Sequence, residues 1–139
     1  MKRWIWRYVL SCVWVCAACD QAASIGERSD GGRAGETWMR QFGTSHRDEA
    51  KSVSVDAAGA AYVAGSVGPD LALPGQTSAG ESDAFVRKYD SAGTELWTRQ
   101  FGSSGWDVAG SVSVGADGAI YVAGNVSEAL PGHSPEAST

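Results

Sequence analysis

The hexapeptide WMRQFG at Trp38 returns as WTRQFG at Trp97, 59 residues later. The register holds beyond it: SVSVDAAGAAYVAGSV from Ser52 lies over SVSVGADGAIYVAGNV from Ser111. Of the 34 pairs between Trp38/Trp97 and Leu71/Leu130, 21 are identical. Self-similarity at a fixed period marks units that bury their apolar faces by stacking on neighbours. The repeat constrains the fold strongly and the chemistry weakly.

The texture within each copy is β. Val53 and Val55 alternate with Ser52 and Ser54, and Val112 and Val114 repeat this, the pattern of a half-buried strand. Turns follow at Asp56-Ala57-Ala58-Gly59 and Gly115-Ala116-Asp117-Gly118, each ending in a Gly suited to a left-handed backbone. AAYVAGS and AIYVAGN are the next strands, with Gly65 and Gly124 where another chain segment passes closely. A second hairpin joins DAFVRKY through Asp90-Ser91-Ala92-Gly93 to Thr94-Glu95-Leu96-Trp97. Four strands per unit, in two hairpins, is the layout of a propeller blade. The expected fold is therefore all-β, with antiparallel blades over residues 37–132.

The first 36 residues have a different composition. Lys2, Arg3 and Arg7 precede the apolar run YVLSCVWVCAAC, and small residues follow, as in a secretory signal. The run is shorter than the ~20 residues that cross a bilayer as a helix. A cleaved signal over 1–19 is expected; a short uncleaved anchor is the alternative. Residues 20–36 are rich in Gly, Ala, Ser and charge and read as a flexible tether. Residues 133–139 read as a disordered tail.

Cys12, Cys16 and Cys19 all lie in the signal, so the body has no disulfide framework and no thiolate site. Ala17-Ala18-Cys19 resembles the end of a bacterial lipobox, which makes Cys19 the candidate lipidation site, although Cys16 stands where such signals prefer Leu. A cysteine that only fills the signal is the other reading. Without residues 1–18, the 11 basic residues fall to 8 against 16 acidic, a balance of −8. That argues against binding to nucleic-acid phosphates or to an anionic membrane surface.

SDAFVRKYDSAGTELWTRQFG, then SVSV-x-x-x-G-x-x-YVAG, then LPG, resembles the SBBP family of bacterial β-propeller repeats over about Trp38 to Gly132. The resemblance implies blades of a multi-bladed propeller in secreted or surface-attached proteins and no single activity. The chain departs from that pattern in number. It holds an outer strand, one full unit and half of another, while closed propellers use about 4–8 blades. The break inside a repeat favours a fragment of a longer propeller. A ring assembled from several chains through exposed blade edges is the other possibility.

Candidate chemistry is sparse. Trp38 and Trp97, Phe42 and Phe101, and Tyr62 and Tyr121 recur in phase and are read as packing. Trp106 aligns with Arg47, so no repeat constraint demands an aromatic there, and it lies in a Ser/Gly loop. It is the candidate ligand contact. Asp48 and Asp107 recur in the loop after QFG; they read as carboxylates that cap local backbone N–H groups rather than cation ligands. DSAGTELW faintly resembles the Asp box of sialidases and the Trp repeat of quinoproteins, both of which sit at structural turns. His46 and His133 occupy different phases, and no catalytic set, metal or cofactor is expected. The chain is expected to be an exported, non-enzymatic (lipo)protein fragment of the cell envelope, or a secreted one. It would contact a protein or glycan and touch the membrane only through its N-terminal lipid. A piece of a propeller enzyme with its active site elsewhere is the alternative.

Overall fold

Alternating apolar residues and Gly-containing turns leave little choice but antiparallel ladders. A computed structural model describes residues 22–27 and 37–134. Among them all regular structure is β: β1 (Ala22–Glu27), β2 (Thr37–Phe42), β3 (Glu49–Val55), β4 (Ala61–Val67), β5 (Asp83–Tyr89), β6 (Glu95–Phe101), β7 (Val108–Val114) and β8 (Ile120–Asn125). β3 to β6 form one four-stranded sheet in sequence order, while β1–β2 and β7–β8 are two-stranded. Every pairing between strands is antiparallel.

The hairpin turns are built alike. In the β3–β4 turn the Asp56 N–H donates to Ala60 O (3.0 Å) and the Gly59 N–H to Asp56 O (2.9 Å). Gly59 takes φ +83°, which a side chain would strain. The Asp56 carboxylate also accepts the N–H groups of Ala58 and Ala60. Asp90 does the same for Ala92 and Thr94 in the β5–β6 turn. Bonding from Ala60 first, and from Thr94 first, holds Asp56 and Asp90 below the usual carboxylate range. The β7–β8 turn keeps the backbone bonds with Gly115 in place of the aspartate.

The inner strands β4 and β5 of the central sheet are buried on both faces, and the period of two assigns their side chains to them. On one face Phe42, Val63, Val67, Leu73, Phe85 and Tyr89 form a cluster joined by Trp38 and Ala50. Phe42 meets Phe85 edge-on at 5.4 Å, and Trp38 lies 5.4 Å from Tyr89. On the other face Tyr62, Ala64, Ala84 and Val86 pack against Ala109 and Val112, with Trp97 beside them. The β1–β2 hairpin thus covers one side and the β7–β8 hairpin the other. Trp38 and Trp97 pack between sheets, as their shared phase suggests.

Two expectations need correction. Val53 and Val55 are 56% and 61% exposed, although the alternation places them on a buried face. Val112, the equivalent of Val53, is buried because it lies on Tyr62 and Ala64 of β4 as well as on β5. Among the described residues the layer beside β3 holds β1 and β2, with no strand standing where β4 stands for Val112. The second correction concerns the tether. Residues 22–27 form β1, which ladders along the whole of β2 from Ala22↔Phe42 to Glu27↔Thr37. An otherwise unpaired edge supplies backbone partners that composition alone does not reveal. The signal segment with Cys19, residues 20–21 and 28–36 of the tether, and residues 135–139 of the tail lie outside the described residues.

Candidate functional site

Hairpin turns occupy one end of the sheets. The other end gathers the loops β2–β3, β4–β5 and β6–β7 and the segment after β8. The recurring aspartates organise it. Asp107 is fully buried and accepts from the Ser103 N–H (2.6 Å), the Ser103 hydroxyl (2.9 Å) and the Ser127 N–H (3.2 Å). Asp48 accepts from the N–H and hydroxyl of Thr44 and from the Gly68 N–H at 2.9 Å. Thr44 and Gly68 are the repeat equivalents of Ser103 and Ser127. Each carboxylate therefore clasps its own loop to the segment leaving the next strand pair, the capping role its position suggests.

A third aspartate shares this end. Buried Asp83 accepts from the Ala79 N–H (2.9 Å) and the Gln100 side-chain amide (2.7 Å). Gln100 also accepts the Leu73 N–H (2.8 Å) and donates to Leu71 O (2.9 Å), which ties the LPG turn to β6. That turn has Pro74 and then Gly75 at φ +75°, and Leu130-Pro131-Gly132 repeats it. Gly102 separates the two acids: a Cβ there would fall 2.5 Å from Asp83 Oδ1 and 2.6 Å from Asp107 Oδ2. Any side chain at 102 would collide with both carboxylates.

Trp106 stands at the open edge of this framework, 59% exposed. Ser127 fixes its backbone from both sides, accepting its N–H at 2.9 Å and donating to its carbonyl at 2.6 Å. The adjoining Asp107 N–H donates to Ser82 O (2.8 Å). Ser127 also lines a shallow groove of about 380 Å³ with Val126, Glu128, Ala129, Leu130, His133 and Ser134. The Ser104 hydroxyl donates to Glu128 at its edge. An exposed indole whose backbone is pinned beside this groove offers a face for stacking.

The remaining candidates stay apart. His46 sits in the β2–β3 loop against Ser45 and Thr44, whereas His133 follows β8. Arg47, the counterpart of Trp106, pairs with Glu49, whose acid is held low by Lys51 first and by Arg47 as well. Among the described residues, no three of His, Cys, Asp and Glu converge. The roles of Ser82, Ser103 and Ser127 emerge from the structure. The hydroxyl-bearing residue four before each aspartate was the readable signal for the clasp at Ser103, and nothing local marks the other two.

No family model matches the chain. The regulatory protein FlaEY of Caulobacter vibrioides is 32% identical over 101 residues, which cover 68% of this chain and 11% of that protein. The chain thus spans about a tenth of the relative it matches.

Proposed function

We propose that the chain is an exported, non-enzymatic piece of an SBBP-type β-propeller, lipidated at Cys19, that presents a contact surface at the bacterial cell envelope. The central four-stranded sheet would be one blade, β7–β8 the first half of a second, and β1–β2 the latter half of another. The order β3-β4-β5-β6 and the covering of both its faces support the blade reading. A match filling 11% of a longer regulatory protein fits a repeated module better than a self-contained enzyme.

The observation that carries the contact surface is Trp106. It breaks the repeat, is exposed, and has its backbone pinned by Ser127 beside a groove. A packing role would have buried it, as it does Trp38 and Trp97 in part. The reading predicts that full chain binds isolated envelope polysaccharide or envelope protein fractions and that Trp106→Ala lowers retention at least tenfold. The melting temperature should stay within about 2 °C, since exposed substitutions away from special features cost little. Equal retention by Trp106→Ala would remove this surface from consideration.

A further inference from the structure

β4 lies between β3 and β5, and all seven of its residues are buried. Its repeat equivalent β8 pairs only with β7 among the described strands, and all six of its residues are exposed. Tyr62 is 3% exposed, while Tyr121, its equivalent, is 62% exposed. On the opposite side of the molecule, β1 pairs only with β2 among the described strands. Val53 and Val55 are bare nearby on β3.

These features fit one another. β2 is the repeat equivalent of β6, and β1 meets β2 in the register in which β5 meets β6. Ala22↔Phe42 matches Ala84↔Phe101, and Gly26↔Trp38 matches Lys88↔Trp97. β1 therefore holds the place of a β5. We propose that β8 of one chain pairs antiparallel with β1 of a second copy, which completes a four-stranded sheet β7-β8-β1-β2 across two chains. Transferring the β4–β5 register gives Tyr121↔Gly26, Val122↔Ile25, Ala123↔Ser24, Gly124↔Ala23 and Asn125↔Ala22. A chain does not make this pairing with itself, because its β1–β2 and β7–β8 hairpins lie on opposite faces of the central sheet.

β1 already sits in the register of a β5 and pairs only with β2 among the described strands, which makes the β1 edge of a second copy the occupant assigned to β8. In the β4–β5 pair, Lys88 Nζ lies 4.8 Å from the Tyr62 ring and 3.9 Å from Asp56. In the joint Gly26 takes the lysine's place and Gly115 the aspartate's, with Asp117 Oδ1 lying beside Gly115 instead. Arg87 bonds Thr98 at 2.7 Å in the intact sheet. Ile25 and Met39, opposite each other in register, replace that polar pair with an apolar one. The joint also brings Tyr121 and Ala123 of the first chain over Val53 of the second copy, as Tyr62 and Ala64 cover Val112. β1 is a cover for β8 that the chain itself carries. Joining is head-to-tail, so it propagates until a ring closes. Each joint adds one sheet to the one within each chain, and two copies reach the minimum of about four for radial closure.

The test uses two populations of full chain with Cys12, Cys16 and Cys19 changed to serine. One carries Ser24→Cys and the other Ala123→Cys. Directly paired Cα atoms lie about 4.5–5.5 Å apart, within disulfide reach. Mild oxidation of the mixture should give at least tenfold more heterodimer than either homodimer. If either variant loses its β circular dichroism signal, Ala22→Cys with Asn125→Cys probes the same register. Predominant Ala123→Cys homodimer would show β8 meeting β8 and overturn the pairing. Sedimentation as a monomer near 100 µM with no cross-link would overturn it too, leaving β8 to a segment of a longer protein. Neither outcome depends on ligand binding at Trp106.

Discussion

Asp107→Ala should lower the unfolding free energy by about 3–5 kcal/mol, the sum of charge-assisted bonds lost and buried donors left unpaired. The carboxylate accepts from the Ser103 N–H, the Ser103 hydroxyl and the Ser127 N–H, all with the acid fully buried. Alanine satisfies none of them and leaves a void beside Gly102. Total stability for a domain of this size is about 5–15 kcal/mol, so the variant keeps little margin. Urea titration followed by circular dichroism reads the effect directly. Asp107→Asn should cost less, because the amide oxygen still accepts one or two of the bonds. A loss within about 0.5 kcal/mol for Asp107→Ala, the range of an ordinary surface change, would show that the clasp contributes nothing.

Gly65→Ala comes next. A Cβ at 65 would lie 1.8 Å from Glu49 O and 2.8 Å from Glu49 C, both backbone atoms of the paired strand. The β3–β4 ladder shifts register beside this point, between Ala50 and Ser52. With β5 on its other edge, β4 has no room to retreat. The expected cost is about 3 kcal/mol, at the upper end for overpacking. Gly110→Ala serves as the control, since its nearest neighbour would be 3.7 Å away. It should melt within about 2 °C of the parent. Comparable melting of both variants would mean that β3 and β4 are not packed at this register.

Much of the fold could be read from single residues. Asp56-Ala57-Ala58-Gly59 and Asp90-Ser91-Ala92-Gly93 announce their turns because each residue does one local job, and DAFVRKY forms β5 over its full length. Gly65 and Gly124 were legible as points of close approach for the same reason. What escaped the sequence depends on neighbours. β1 has no turn-bounded alternation of its own; the β2 edge recruits it. The exposure of Val53 against the burial of Val112 reflects which strands fill the adjacent layer, since the two residues and their flanks are alike. At the loop end, Asp48 and Asp107 were visible as caps, but their distant donors Gly68 and Ser127 were not. Trp106 stood out by breaking the repeat, and the groove beside it came from the turn at Leu130-Pro131-Gly132 that no local pattern places next to it.

Both copies obey one architecture, and β8 is the strand whose surroundings in the lone chain fall short of it. Amide hydrogen exchange of Ile120–Asn125 across a concentration series measures that directly. The outward half of these amides, unpaired in a dilute chain, should become protected as concentration rises and approach the protection of β4. Exchange of β8 at one rate from low micromolar to hundreds of micromolar, with β4 protected throughout, would contradict it.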